Sequence, residues 1–217
     1  PKIHYFHFSV EHVKHVAELD ETTDLKLAPN LQLRDVETGH FQKMKVSRAM
    51  HVFGNSVASA ITFMVENNMI DKSVHKSAVD TAWFINTMNR WFYLLSSRTP
   101  AMALSKLHPE KFDEAKEFLI QFIDLFTNIS IRMDQWKPVQ TGIILATTGI
   151  LQLAEELIED GSDFLMTARL TQGCQENLFS IICLKTAISS AIEFRNSLKI
   201  VTVAQNPPNQ ELIIPIG

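Results

Sequence analysis

The sequence predicts an all-α fold. Apolar residues recur at spacings of three and four over most of the 217 residues, which is the pattern of helices with one buried face. Prolines and glycines stand between these stretches, where helices begin and end. Hydrophobic residues make up 46% of the chain and charged residues 20%, so the chain is long and apolar enough for a sizeable core.

The first part of the chain predicts two helices joined by an irregular stretch. Ser9 can cap a helix that runs to about residue 20, and residues 25–39 are irregular. A long helix is predicted over residues 41–66, although Gly54 in its interior costs about 1 kcal/mol relative to alanine. The two apolar stripes are Val10, Val13, Val16 and Ala17, and then Val46, Met50, Phe53, Val57, Ile61 and Met64.

Prolines and one glycine mark the later helices. A third helix is predicted over residues 76–97, before Pro100, and Pro109 and Pro138 each open another. The helix that begins at Pro138 ends near Gly161. Two more helices, 175–185 and 190–204, are followed by a tail, 212–215, that is a short strand or disordered. The predicted stripes are Val79, Trp83, Ile85, Met88, Phe92 and Leu95; Phe112, Ala115, Leu119, Phe122 and Phe126; and Ile144, Leu151 and Leu157.

Bulk composition excludes several classes of protein. A net charge of −4 provides no overall basic field for nucleic acid, so any DNA contact must be local. The two cysteines, Cys174 and Cys183, form no CxxC pair, which argues against a disulfide framework or a zinc ribbon and favours a reducing compartment. The most apolar tract, residues 142–153, is too short to span a bilayer. Because Pro1 stands where an initiator Met is expected, we interpret the chain as a piece of a longer protein.

The seven glycines form neither a GxGxxG nor a GxxxxGK motif, which argues against a Walker-type nucleotide site. His12 and His15 are three residues apart on a predicted helix and could face one metal, or they are surface histidines. Lys43, Lys45 and Arg48 lie in the first two turns of the long helix. They form either a phosphate cradle, with Lys45 and Arg48 on one face, or a solvated basic face.

Two further features have a functional and a structural interpretation. The run Trp91-Phe92-Tyr93 offers aromatic surface for stacking a base, or it belongs to the core. Glu176 lies near the start of a predicted helix, where the helix dipole favours a carboxylate. Two-metal chemistry needs further acids close by, but Gly173 occupies the position one turn back. From its own neighbourhood, Glu176 is a helix-capping residue.

A series of motifs, taken together and in order, resembles the P-element family of transposases, including its THAP-domain relatives. The motif at 170–182, L-T-Q-G-C-Q-E-N-L-F-S-I-I, is similar to the family's L-x-Q-D-x-x-E-N-x-F-x-x-I-R. The other matching segments are F-Q-K-M-K-V at 41–46, N-S-V-A at 55–58, T-A-x-F-I at 81–85, W-F-Y-L-L-S-S-R at 91–98 and E-F-R-N-S-L at 193–198. The resemblance covers almost the whole chain.

The resemblance implies an RNase H-like α/β catalytic domain interrupted by an all-α insertion that binds GTP. Residues 1–40 are then a linker and a helix leading out of the catalytic domain, 41–160 the insertion, and 161–217 a return to the catalytic domain, whose strands lie mostly outside this chain. Glu176 corresponds to the last acid of the catalytic, Mg²⁺-binding set. The implied nucleotide-binding residues are Lys43, Lys45, Asn55, Ser56, Phe92 and Ser96.

The resemblance also implies partners and a location. The parent protein is expected to bind DNA, in relatives through an amino-terminal THAP zinc finger, and to be nuclear. A homo-oligomer is possible, and no membrane is involved. The two earlier catalytic aspartates are expected to precede Pro1, so the isolated chain is expected to be inactive.

Several positions depart from the family pattern. Gly173 replaces an Asp linked to the nucleotide's magnesium, and Tyr93 and Ser96 replace the Asp and Asn that recognise the guanine edge. Cys183 stands where the motif has Arg. We therefore expect weak guanine selectivity and doubtful Mg²⁺-dependent GTP binding. The sequence predicts a diverged, domesticated or decayed transposase fragment. The alternative is a non-enzymatic α-helical scaffold for protein or chromatin interaction.

Overall fold

The fold is helical, as predicted. The structure, a computed structural model, describes residues 6–37, 39, 45–130, 136–173, 176, 179–180 and 190–205. In that part of the chain the α-helices are α1 (Val10–Thr22), α2 (Leu33–Val36), α3 (Val46–Val52), α4 (Asn55–Glu66), α5 (His75–Leu95), α6 (Pro109–Asn128), α7 (Pro138–Glu159) and α8 (Ala191–Gln205). Two short strands, β1 (Leu104–Ser105) and β2 (Phe164–Leu165), pair antiparallel.

The first core, formed by buried side chains of α1, α4, the first half of α5 and the loop after α1, begins as the sequence predicts. The Ser9 hydroxyl accepts a hydrogen bond from the Glu11 N–H and caps α1. The carboxylate of Asp20, buried at the end of α1, accepts the N–H groups of Leu27 and Ala28 at 2.8 Å each and fixes the following loop. Helix α1, in the predicted leading segment 1–40, thus packs in the same core as α4 and α5.

The prediction of one long helix over residues 41–66 is wrong, because the helix is interrupted between Val52 and Asn55. Gly54 is extended, with φ −71° and ψ 142°, and forms the N-cap of α4. The Asn89 side chain donates to the Phe53 carbonyl at 2.7 Å and so satisfies an acceptor at the break. A Cβ at Gly54 would lie 3.2 Å from the His51 carbonyl oxygen. Residues 40–44 lie outside the described part of the chain.

Helix α5 buries Ile85 of the predicted stripe, but its other buried residues lie outside that stripe. Val79 and Trp83 are 52% and 42% exposed, whereas Ala78 and Ala82 are buried. Small residues allow two helices to approach closely, and α4 packs along this alanine face. The hydrophobic stripe identified the helix but missed most of its contact face, because alanine adds little to the apolar pattern.

The second core contains β1, α6, α7 and β2, in which Leu104 pairs with Leu165. The stripe predicted for α6, from Phe112 to Phe126, is buried throughout. Ser97 and Thr167 close this region with three mutual hydrogen bonds of 2.9–3.1 Å, all buried. Two-residue strands were not predicted, since such short segments leave no alternating pattern.

Helix α7 is long and apolar enough to cross a membrane by length and composition alone. Ala154 and Ile158 near its C-terminal end are buried in the second core, although most of its apolar window is not buried. Gln140 and Thr147 are buried and hydrogen-bonded. Gln140 Nε2 donates to the Ile129 carbonyl at 3.0 Å, and Thr147 Oγ1 accepts from Trp91 Nε1 at 2.8 Å. Such contacts are typical of a helix in a globular domain.

A row of aromatic side chains connects the two cores. Ring centroids are 6.2 Å apart for Phe53 and Phe84, 6.5 Å for Phe84 and Phe126, 4.8 Å for Phe126 and Phe122, and 5.3 Å for Phe122 and Trp91. The row is contributed by α5, α6 and the residue after α3. It therefore joins the second core to the break between α3 and α4.

The C-terminal helix begins where it was predicted. Ser190 and Glu193 cap α8 reciprocally: Glu193 Oε2 accepts the Ser190 N–H at 2.8 Å, and Ser190 Oγ accepts the Glu193 N–H at 3.3 Å. The Ser190 N–H and hydroxyl both donate to the Glu193 carboxylate and lower its pKa. Most of the predicted helix over residues 175–185, both cysteines and the tail 212–215 lie outside the described residues.

Candidate nucleotide-binding site

A cleft of about 230 Å³ lies between α3 and α5, and we call it the α3–α5 cleft. Its walls come from the residues at and after the start of α3 and from the second half of α5. The lining residues are Lys45, Val46, Ala49, Met50, Phe53, Met88, Trp91 and Phe92. Its surface is therefore mainly apolar and aromatic, with Lys45 as the single cation in this lining.

The three aromatic side chains of residues 91–93 have different surroundings. Trp91 stacks on Phe122 with an interplanar angle of 8° and is further held by its bond to Thr147, so it is a fixed part of the floor. Phe92 lines the cleft and is partly exposed. Tyr93 is 49% exposed and lines a second cleft of about 610 Å³ near the start of α6. Of this run, Phe92 and the fixed Trp91 thus offer rings to a ligand in the α3–α5 cleft, whose lining also includes Phe53.

The basic residues of the long-helix motif are separated. Lys45 is exposed at the N-cap position of α3. Arg48 points toward α2 instead, with Nε 3.7 Å from Asp35 Oδ1 and Nη1 donating to the Arg34 carbonyl at 3.2 Å. The predicted face shared by Lys45 and Arg48 is therefore not present. Lys43 lies outside the described residues.

The remaining candidates lie at the edges of this arrangement. Asn55 and Ser56 are the first two residues of α4, directly after the break, and are absent from the lining of the cleft. Ser96 Oγ donates to the Phe92 carbonyl at 2.6 Å, which occupies its proton within α5. The structure thus brings Lys45 and Phe92 together and places Asn55, Ser56 and Ser96 farther out.

Met50, Phe53 and Met88 also line the cleft but were not selected as site residues from the sequence. All three belong to the predicted helical stripes, so their pattern indicated only core residues. They face a cleft because the helix break at Gly54 separates α3 from the first core. Hydrophobic periodicity contains no signal for such a break.

The histidine pair does not form a metal site. His12 is buried and its Nε2 lies 3.0 Å from Ser77 Oγ, whereas His15 is exposed. Desolvation by burial, with smaller contributions from His15 and His7, lowers the pKa of His12. No group of three or more His, Cys, Asp or Glu side chains in the described residues could hold a metal.

Glu176 lies in a helical segment and is exposed. Among the described residues, Glu176 does not form a group with other His, Cys, Asp or Glu side chains that could hold a metal. Gly173, one turn back, is also exposed, and a Cβ there would meet only Thr171 Oγ1, at 3.6 Å. The described residues therefore do not form a Mg²⁺ site by themselves.

Comparison with known proteins places this geometry in a family. Residues 5–108, which include both walls of the α3–α5 cleft, match the family described as TNP-like, GTP-binding insertion domain. The Drosophila melanogaster protein named Transposable element P transposase is 23% identical over 177 residues, which are 77% of this chain and 22% of that protein. The structure titled Drosophila P element transposase strand transfer complex is similar to this fold with a TM-score of 0.72 at 20% identity, covering 92% of this chain and 46% of that one.

The chain spans about a fifth of the length of the curated relative. The family match starts before residue 41 and ends before residue 160, so it overlaps the predicted insertion only in part, and the two predicted domain boundaries stay predictions. The comparisons do not favour the scaffold alternative. With its helical fold and its ordered motifs, this chain is similar to P-element transposases, and its residues 5–108 match a GTP-binding insertion domain.

Proposed function

We propose that the α3–α5 cleft binds the base of GTP and that Lys45, together with Lys43, contacts the phosphates. One observation carries this proposal: Lys45 and Phe92, selected independently from two motifs, line the same cleft inside the matched domain. Asn55 and Ser56 would meet the nucleotide from the start of α4, where unpaired backbone N–H groups favour an anion. Ser96 would lie behind the stacked base.

The chemistry of the lining supports a stacked base. Base–aromatic stacking contributes about 1–3 kcal/mol and needs no particular base edge. Phe92 provides such a surface, and Met50 and Met88 provide polarizable side chains around it. The volume of about 230 Å³ is small for a whole nucleotide, since ligand pockets commonly hold roughly 300–1,000 Å³. The base therefore enters the cleft, while the ribose and phosphates lie outside, near the exposed Lys45.

Selectivity for guanine is expected to be weak. A carboxylate that pairs with the guanine edge would have to lie in this cleft, but Tyr93 lines another cleft and Ser96 is bonded to the Phe92 carbonyl. Mg²⁺ would reach the site with the nucleotide's phosphates, since the described residues offer it no cluster of ligands.

Titration of the 217-residue chain with a fluorescent GTP analogue, with and without Mg²⁺, tests this proposal. Lys45→Ala is expected to weaken binding about tenfold, the effect of one charge-assisted phosphate contact. Lys72→Ala is the matched control, because Lys72 is exposed on a separate 3₁₀ segment. Non-saturable binding by the wild type, or equal affinities of the Lys45→Ala and Lys72→Ala chains, would contradict the nucleotide site.

We further propose that the chain is a diverged part of a nuclear DNA transposase. The supporting observation is the similarity to a transposase in both sequence and fold. In this proposal Glu176 contributes a carboxylate to a nuclease centre that needs aspartates from outside the described residues. DNA binding, and any homo-oligomer, belong to the parent polypeptide.

Glu176→Gln tests the catalytic role in a polypeptide that carries those aspartates. Because the variant removes one metal-ligating charge and keeps the side-chain volume, DNA cleavage should fall by at least about a hundredfold. GTP binding should stay unchanged. Cleavage at the wild-type rate would exclude Glu176 from the centre, and Glu193→Gln provides a control for loss of a nearby carboxylate.

A further inference from the structure

We propose that Asp35 is a positioning residue of the α3–α5 cleft: it holds α3, and with it Lys45, from the side opposite to the ligand. This inference rests on the proposed nucleotide function. Asp35 lies on α2 and is absent from the lining of the cleft. It is one of the most buried carboxylates among the described residues, with a side chain that is 3% exposed.

The contacts of Asp35 converge on α3. Its Oδ2 accepts from His51 Nδ1 at 3.0 Å and from the Gln32 N–H at 3.2 Å. Its Oδ1 lies 3.7 Å from Arg48 Nε. His51 and Arg48 are three residues apart and therefore share one face of α3. A single buried carboxylate thus ties α3 to α2 through both of its oxygens.

Helix α3 is weakly packed, since Val52 contacts the first core but is only partly buried. It has seven residues, and none of them is buried. A helix of this length is marginal by itself, so tertiary contacts must set its position. The opposite side of α3 presents Ala49 and Met50 to the cleft, so the polar contacts of α3 with α2 lie on the side away from the ligand. These contacts are those of Asp35 and the hydrogen bond from Arg48 Nη1 to the Arg34 carbonyl.

The position of α3 determines where Lys45 lies relative to the rest of the cleft. Lys45 is the N-cap residue of α3, one turn before Arg48, so a shift or rotation of α3 moves Lys45 relative to Phe92. Phe92 belongs to α5. The residue before it, Trp91, is held by Phe122 and Thr147. One wall of the cleft is therefore rigid, and the other is set by Asp35.

Asp35→Asn in the full 217-residue chain tests this role, because it keeps the shape of the side chain and removes its charge. Affinity for the fluorescent GTP analogue is expected to fall about fivefold to tenfold, the range of couplings between residues in one network. In a Lys45→Ala background the same change should alter affinity less than about twofold. A merely structural role would weaken both backgrounds by the same factor.

Asp20→Asn is the matched control. Asp20 is a buried carboxylate that fixes a loop through two backbone N–H groups, and it is absent from the lining of the α3–α5 cleft. It should lower the urea midpoint at least as much as Asp35→Asn and leave nucleotide affinity unchanged. If Asp35→Asn does not fold, His51→Ala replaces it, because His51 is 42% exposed and its loss removes one of the two α3 contacts.

Amide chemical shifts provide a readout that needs no nucleotide. Asp35→Asn should shift the amides of residues 45–53, while Asp20→Asn should not. Absence of saturable binding by the wild type would overturn the nucleotide function and the positioning role together. Wild-type binding with unchanged affinity in Asp35→Asn and His51→Ala, or equal losses with and without Lys45, would overturn the positioning role alone.

Discussion

The two cores of the molecule bury different kinds of polar groups. Around the first core these are largely ionisable, namely His12, Asp20, Asp35 and Asp80. Around the second core they are neutral, namely Ser97, Gln140, Thr147 and Thr167. Asp20 and Asp35 each accept two hydrogen bonds that hold a loop or a short helix. In the second region, the buried hydroxyl and amide groups make the hydrogen bonds between segments. The irregular first region, which forms the cleft, therefore depends on electrostatics, and the second region depends on packing.

The largest expected effect comes from the aromatic row that joins the two regions. Phe122 is 1% exposed and contacts Trp91, Phe118 and Phe126. Phe122→Ala should lower the free energy of unfolding by about 3–5 kcal/mol, because it removes a fully buried ring. Urea unfolding followed by circular dichroism and tryptophan fluorescence measures this change.

Phe63→Ala is the control, since Phe63 on α4 is 45% exposed and should cost less than about 1 kcal/mol. A single, shifted transition in Phe122→Ala shows that the two regions unfold together. Two separate transitions, one of them at the wild-type midpoint, would contradict the connecting role of the row.

Two glycine substitutions compare the regions directly. Gly149→Ala in α7 should raise the free energy of unfolding by about 1 kcal/mol, because alanine favours a helix and nothing lies within 4 Å of the new Cβ. Gly54→Ala should lower it by about 1 kcal/mol, because its Cβ would crowd the His51 carbonyl oxygen at 3.2 Å. Urea midpoints of the two variants give the signs. A stabilising Gly54→Ala would indicate a continuous helix instead of the break.

The smallest expected effect is a dependence of the first region on pH. The pKa of His12 is lowered, mainly by desolvation and then by His15 and His7, and Glu11 opposes the shift. Below about pH 6.5, the ordinary value for histidine, the unfolded chain binds a proton more readily than the folded chain. This contribution to stability is therefore complete above pH 6.5 and is lost as pH falls toward the lowered pKa.

Urea midpoints between pH 7.5 and 5.5 check this dependence. His12→Asn should flatten the decline, whereas Thr147→Val in the second region should leave its slope unchanged, since Thr147 does not titrate. Identical slopes in the wild type and His12→Asn would show that His12 does not contribute.

Sequence reasoning succeeded where one physical rule was sufficient. The proline at each start predicted α6 and α7, and the stripe of α6 predicted its buried face, because large apolar residues dominate both signals. It failed at Gly54, since the break depends on a hydrogen bond from Asn89, which lies far away in sequence. Most of the contact face of α5 was missed for the related reason that Ala78 and Ala82 pack by being small.

The binding roles of the candidate site residues stay predictions, although two of these residues meet in the structure. Lys45 and Phe92 came from motifs, and the structure places both at one cleft. The positions of Asp35, His51 and Arg48 could not be predicted, because a buried carboxylate with partners 13 and 16 residues away leaves no periodic pattern. Glu176 remains a prediction from its motif.

The hydrogen bonds between Ser97 and Thr167 hold the two ends of the segment 98–166 next to each other. Loops of this segment that lie away from its two ends can lengthen or shorten during evolution without moving either end. Several residues of this segment contact α5, among them Phe122, which stacks on Trp91, and Thr147, which accepts a hydrogen bond from Trp91. Differences in chain length between this protein and its relatives should therefore occur away from the Phe122 ring and outside the turn that contains Ser97.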